Sequence, residues 1–214
     1  MSINSTKIPI LASRLDLLQV SSSIRTLPRV GAVACPCLDL SEANALVSVV
    51  DQLEYRPAKA ITGSDNAPVY QDFDLCYDIP SGHSLWEFAQ VLEQALTSAL
   101  AGAEVDSECY PLRLNDLIVQ RYPPGCAGIT PHRDHVRYGF LIAIILLTGD
   151  GYFGICDDRQ GNESREIDFK PGDLLLMGGP GLIPNFRRPF HFVNGVTDWR
   201  RTIGLRYDTH KSDA

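Results

Sequence analysis

His132 and Asp134 stand two residues apart, and in an extended segment alternate side chains leave the chain on one face. An imidazole and a carboxylate so placed can reach the same metal ion. As a bare tripeptide, His132-Arg133-Asp134 could equally be a surface ion pair. His191, set in Pro189-Phe190-His191-Phe192-Val193, could likewise be a satisfied core histidine. Several strand-like runs lie between the two, enough for the chain to return and bring His191 beside the first pair. Two histidines and one carboxylate then form a set that holds Fe(II) on one face and leaves positions open. His135 is a competing ligand, but neighbouring strand residues point to opposite faces.

The segment Arg200 to Tyr207 divides by parity. Arg200, Thr202, Gly204 and Arg206 share one face, and Arg201, Ile203, Leu205 and Tyr207 share the other. An inward-facing arginine is costly to bury unpaired and calls for an anionic partner that it can grip with two N–H groups. A small dicarboxylate held at both ends would satisfy this strand; the alternative is a solvent-facing edge with harmless arginines. Gln120 and Tyr122 also share a face, just before the His132 segment, and their amide and phenol can donate to carboxylate or keto oxygens.

The elements that must position these residues are legible in outline. The 214 residues are enough for a full core, with 44% apolar and 21% charged residues and a net charge of −7. That charge disfavours broad phosphate binding. Six scattered cysteines without CxxC spacing read as free thiols in a reducing compartment, and Cys35-Pro36-Cys37 is a weak metal signal. The N-terminus has no apolar signal core, and the longest apolar run, Phe140 to Leu147, is too short to span a bilayer. A cytoplasmic protein without membrane contact is expected.

Residues 1 to 30 read as an arm with one helical turn around Ser13 to Val20, followed by an early strand over Val30 to Val33. Ser41 is expected to cap a helix running to about Leu53, with Leu46, Val47, Val50 and Leu53 as its stripe. Arg56 to Tyr70 reads as a loop, a lid over the site, and Val69 to Ile79 as one or two strands. Tyr55, Tyr70, Phe73 and Tyr77 are the candidate lid aromatics. Ser84 with Glu87 suggests a capping box and a second helix, with Trp86 packed on the core. From Asn115 onward, short strand-like runs separated by Gly, Pro, Asn and Asp suggest an antiparallel sandwich or small barrel. The chain divides into an N-terminal part, 1–110, of helices, strands and lid, packed on a core at 111–214 to make one compact domain.

With its motifs in this order, the sequence resembles the AlkB-like Fe(II)/2-oxoglutarate-dependent dioxygenases. The matching pieces are Gln120-Arg121-Tyr122-Pro123-Pro124-Gly125, His132-Arg133-Asp134, Lys170-Pro171-Gly172-Asp173, His191 and Arg200 to Arg206. They span Leu114 to Tyr207. The resemblance implies an α+β fold whose core is a double-stranded β-helix, or jelly roll, flanked by N-terminal helices. It assigns His132, Asp134 and His191 to Fe(II), and Arg200 and Arg206 to the two carboxylates of 2-oxoglutarate, with Thr202 between them. Tyr122 and Gln120 would also contact 2-oxoglutarate, although Asn is commoner in the family at the positions of Gln120 and Thr202. Arg201 replaces Arg200 if the strand is shifted or bulged. The implied reaction consumes O₂ and 2-oxoglutarate, releases succinate and CO₂, and hydroxylates or demethylates a substrate.

His135-Val136-Arg137 follows Asp134 without the acidic residue that nucleic-acid repair members carry there. A small-molecule, amino-acid or protein substrate is therefore preferred over oxidative demethylation of N-alkylated nucleic acid. A non-catalytic metal- or ligand-binding jelly roll, or a hydrolytic metal site, is the reading of another class; the paired arginines argue against it.

Overall fold

The computed structural model of the chain describes residues 14–103 and 112–211. Its first element is helix α1 (Leu17–Val30), opened by Asp16, whose carboxylate accepts from the Leu18 N–H at 2.9 Å. Val20, Ile24 and Leu27 recur at four and three residues and are buried, giving an apolar stripe. The expected single turn is thus a full helix; Ser13 lies outside the described residues. Ser21 hides the pattern, because it is buried yet satisfied, donating to the Ala99 carbonyl at 2.6 Å.

Strand β1 (Ala32–Pro36) follows, then helix α2 (Leu40–Val50). The cap of α2 is Asp39 rather than Ser41. Asp39 accepts from the Glu42 N–H at 2.8 Å, and the Glu42 carboxylate accepts from the Asp39 N–H at 2.8 Å. This reciprocal pair satisfies two orphan donors, which a serine two residues later cannot do. Arg56 to Tyr70 is not a loop. It holds β2 (Arg56–Pro57) and the hairpin β3 (Ile61–Ser64) to β4 (Ala67–Asp72), with Asp65-Asn66 as the two-residue turn. Strand β5 (Asp74–Cys76) precedes helix α3 (Ser84–Gly102). His83, not Ser84, caps α3, its ring accepting from the Leu85 N–H at 3.2 Å. Trp86 is half-buried on the core, and its indole N–H donates to the Ile79 carbonyl at 3.2 Å.

The remaining strands are β6 (Asp116–Tyr122), β7 (Gly128–His132), β8 (Tyr138–Thr148), β9 (Tyr152–Cys156), β10 (Arg165–Glu166), β11 (Asp173–Gly178), β12 (Phe190–Asn194) and β13 (Arg200–Asp208). They form two antiparallel sheets. One has the order β1-β11-β8-β13-β6-β5-β2, the other β10-β9-β12-β7-β4-β3. The helices cover the outer face of the first sheet, and the second sheet lies against its inner face.

This layering explains β8. Leu141, Ala143, Ile145 and Leu147 join Leu27, Leu46 and Phe88 of the helices in one core cluster. Ile142 and Leu146 join Phe153, Ile129 and Val193 of the second sheet in the other. A strand covered on both faces reads as a continuous apolar run. In β13 the same division puts Ile203 and Leu205 on the helix side. The residues of the other parity face the space between the sheets. Cys35, Cys37, Cys76, Cys126 and Cys156 are free thiols; Cys109 lies outside the described residues. Among the described residues no helix is long and apolar enough to cross a membrane.

Candidate metal centre and its pocket

Strands β7 and β12 pair antiparallel with His132 directly opposite His191. A register shift between His191 and Val193 bends β12 at this point. It coincides with Gly128, whose φ is +77° and where an added Cβ would lie 2.0 Å from the Val193 carbonyl oxygen. Only glycine permits that approach. The two imidazole centroids end 4.2 Å apart at an interplanar angle of 50°. Asp134, just past the end of β7, closes the group, with Oδ2 4.0 Å from Nε2 of His191. One ligand atom from each of the three residues lies within 4.8 Å of the others, a spacing suited to a single metal ion. His135, on the exposed side, accepts from the Arg137 N–H and is not part of this group.

Nδ1 of His132 lies 2.9 Å from the Thr130 carbonyl oxygen, which fixes it as the protonated nitrogen and leaves Nε2 for a ligand bond. Burial holds His191 down to about 3, helped by the neighbouring His132, and burial also lowers His132. Burial thus biases both rings toward the neutral form that metal ligation requires. Burial alone would raise Asp134, but His191, Arg206, His132 and Arg188 together leave its carboxyl below the ordinary value. Arg188 also donates to the Asp134 carbonyl oxygen at 2.7 Å.

These three residues line a pocket of about 60 Å³ between the sheets. Gln120, Tyr122, Arg200, Thr202, Gly204 and Arg206 line the same pocket. Arg201 faces the other way, binding both carboxylate oxygens of Asp51 at 2.6 and 3.0 Å. Thr202 donates to the Gln120 side-chain oxygen at 3.3 Å. Gly204 leaves the floor open, since a Cβ there would meet Ile118 at 2.8 Å.

The two pocket arginines are in different electrostatic situations. Arg206 is paired: its Nε donates to Asp116 at 2.9 Å and its Nη2 to the Tyr77 hydroxyl at 2.6 Å. Arg200 is 1% exposed, donates from Nη1 to the Asp150 carbonyl at 2.8 Å, and leaves Nε without a partner. Among the described residues no carboxylate lies within ion-pair distance of it. Burial lowers its pKa from the ordinary arginine value, yet guanidinium stays protonated. Tyr122, 3% exposed, is pushed up by burial, with Arg200 opposing. A buried cation with a vacant donor edge, beside a phenol, has the chemistry to accept a small anion.

The lid aromatics are dispersed. Phe73 is buried against Tyr122 with ring centroids 4.7 Å apart, and Tyr55 packs under the Arg121 guanidinium at 4.2 Å. Tyr70 is 53% exposed on β4, and Tyr77 holds Arg206. None of the four lines the pocket. Asp116, Asp150 and Arg188 are the supporting residues that local sequence signals do not single out. Only parity with Arg206 across the β6–β13 register, Arg206 opposite Asp116, could have pointed to the first.

No family model matches the sequence, and no curated protein gives a significant match. Solved structures do match in fold. An oxidoreductase of the 2OG-Fe(II) oxygenase family from Burkholderia pseudomallei superposes with a TM-score of 0.59 at 15% identity, covering 94% of each chain. A prolyl hydroxylase from Trichoplax adhaerens, in complex with a hypoxia inducible factor peptide fragment, gives 0.63 at 13% identity over 90% of each chain. A Pseudomonas putida prolyl-4-hydroxylase gives 0.63 at 14% identity, covering 89% of this chain and 99% of that one. The paired antiparallel sheets with helices on one outer face are therefore the α+β double-stranded β-helix fold found in these 2OG-Fe(II) oxygenases.

Proposed function

We propose that the protein is an Fe(II)- and 2-oxoglutarate-dependent dioxygenase of AlkB-like type that hydroxylates a small-molecule, amino-acid or protein substrate. The observation that carries this reading is the buried, carboxylate-free guanidinium of Arg200 in the same pocket as His132, Asp134 and His191. A hydrolytic metal site has no use for such a group, whereas a dicarboxylate cosubstrate satisfies it. When bound, Fe(II) with O₂ and 2-oxoglutarate supplies the oxidation, in which a substrate C–H becomes C–OH while 2-oxoglutarate and O₂ yield succinate and CO₂.

The chain's own residues orient the reactants. His132, Asp134 and His191 hold the metal on one side. Arg200 takes the distal carboxylate of 2-oxoglutarate through the edge bearing its unpartnered Nε, with the Tyr122 hydroxyl beside it. Arg206, already fixed by Asp116 and Tyr77, supplies positive charge on the side nearer Asp134. Gln120 and Thr202 form the polar wall between the two arginines. The apolar side chains of Ile118, Ile142, Ile144 and Phe153 complete the pocket and limit water around the reacting groups.

The test is conversion of 2-oxoglutarate to succinate with Fe(II) and O₂, comparing the native protein with His132→Ala. Native turnover is expected, uncoupled or substrate-driven, with loss of about 100-fold or more in the variant. Absence of both turnover and 2-oxoglutarate binding in the native protein would sink the reading. A substrate panel read for formaldehyde or a hydroxylated product separates demethylation from hydroxylation.

A further inference from the structure

A second concavity of about 200 Å³ lies beyond the metal ligands, and its walls are unusually basic for a chain of net charge −7. Five arginines line it, Arg29, Arg133, Arg165, Arg187 and Arg188, against two carboxylates, Asp157 and Glu163. None of these arginines has a carboxylate within 4.0 Å among the described residues. Five arginines elsewhere, Arg113, Arg121, Arg137, Arg201 and Arg206, do each meet an acid, so the lack of any such pair in a wall that gathers five arginines marks this concavity as short of counter-charge.

The partners these arginines do have are backbone carbonyls, that of Asp134 for Arg188 and that of Val30 for Arg165, which leave their charge uncompensated. Arg133 stacks on Phe190 with its guanidinium carbon 4.1 Å from the ring centroid, and its Nε is buried without a partner. The carbonyl end of α1 would repel an anion here, but Arg165 donates to the Val30 carbonyl and covers it. Only a thin partition separates this concavity from the metal site, a crevice lined by residues of both. It shares Asp134, Ile142 and His191 with the inner pocket, and Arg133, Arg188 and Pro189 with the basic one.

We infer that the substrate of this centre is a small molecule carrying a carboxylate or phosphate group. Its anionic end sits on Arg133 and Arg187, and the rest of it extends along Arg188 and Pro189 toward the side of the centre that carries His191 and Asp134. The inference rests on the proposed reading of His132, Asp134 and His191 as the reactive centre. A single small concavity with its arginines gathered on its walls suits a small ligand rather than a nucleic-acid strand, which needs a continuous basic track. Neighbouring like charges raise the cost of leaving the site empty, so an oxyanion is favoured there over a neutral group.

The experiment titrates the metal-free full-length protein by calorimetry with benzoate, with phenyl phosphate and with a single-stranded oligonucleotide. Its arms are the native protein, Arg187→Gln, Arg133→Gln/Arg187→Gln and Arg200→Gln. At least one small anion should bind the native protein, and its identity separates carboxylate from phosphate as the source of charge. Arg200→Gln removes the inner anion receptor and should retain a binding event at the basic concavity; the double variant should lose that event, binding about tenfold more weakly or worse, and Arg187→Gln should weaken it severalfold. If the double variant does not fold, as read by circular dichroism, Arg187→Glu takes its place and should abolish binding. The inference is overturned if neither small anion binds, if the arginine variants bind as the native protein does, or if Arg200→Gln alone removes binding. An oligonucleotide that binds far more tightly than either small anion, and loses that binding in the double variant, overturns the small-molecule assignment. Because no iron or 2-oxoglutarate is present, these outcomes are independent of the turnover assay that tests the dioxygenase reading.

Discussion

Arg200 and Arg206 have the same side chain on the same face of β13, and the residues around them set opposite consequences for their removal. Arg200→Gln deletes a buried charge that lacks a protein counter-ion, so the free protein should unfold at an equal or higher temperature. Its 2-oxoglutarate dissociation constant should rise by about 30-fold or more, since truncating one partner of a buried charge pair costs about 2–5 kcal/mol. Arg206→Gln strands Asp116, which is 2% exposed and would keep only Lys211 as partner. It should destabilise the fold by about 2 kcal/mol or more in denaturant titration. Arg201→Gln, which loses only the Asp51 pair on the outer face, should leave 2-oxoglutarate affinity within about twofold. His191 adds a pH dependence to the metal-free protein. Its folded pKa of about 3 lies below the ordinary 6.5, so between those values the unfolded chain binds the extra proton. Stability should therefore fall as pH drops from about 6.5 toward 3, and His191→Gln should flatten that slope in thermal melts.

At the scale of elements, the site depends on the β7–β12 pairing more than on any single ligand. The alternation in β13 is legible because Arg, Thr and Gly interleave with Ile and Leu along one strand. The pairing of His132 with His191 is not, because it joins strands far apart in the chain and passes through a register shift. Gly128 is the element's weak point. Gly128→Ala would place a Cβ against the Val193 carbonyl in a left-handed backbone conformation, so β7 must shift relative to β12. Fe(II) affinity measured anaerobically should fall by at least about tenfold although all three ligands remain; native affinity would mean that the pairing tolerates the shift. The helix caps show a similar limit. Asp39 and His83 cap α2 and α3 where Ser41 and Ser84 lie close by, and only the reciprocal bond with Glu42, or the direction of the His83 ring, decides between neighbours.

The whole molecule is a stack of helices, a first sheet and a second sheet, with one core cluster on each face of the first sheet. The helix-side cluster carries stability and the inter-sheet cluster carries the site. Leu92→Ala, in the helix-side cluster and fully buried, should cost about 2–5 kcal/mol of folding stability. Once the protein is folded, its 2-oxoglutarate affinity should be near native; a large loss of affinity at temperatures where the variant is folded would show that the two clusters are coupled. Net charge, a property of the whole chain, is a poor guide to its mouth, since the acidic surplus lies elsewhere and the basic concavity beside the metal ligands is assembled from α1, the residue following β7, β10 and the segment before β12.

By itself the sequence determined what depends on residue type and short spacing: the His132–Asp134 pair on one face and the parity of Arg200 and Arg206. Each follows from a period of two in an extended chain. Tertiary structure alone decided that His191 lies opposite His132, that Arg206 is paired while Arg200 is not, that Arg56 to Tyr70 forms a hairpin, and that scattered arginines converge beside the metal ligands. These depend on contacts between residues distant in the chain, on burial, and on which groups already have partners. No local pattern of residues carries that information.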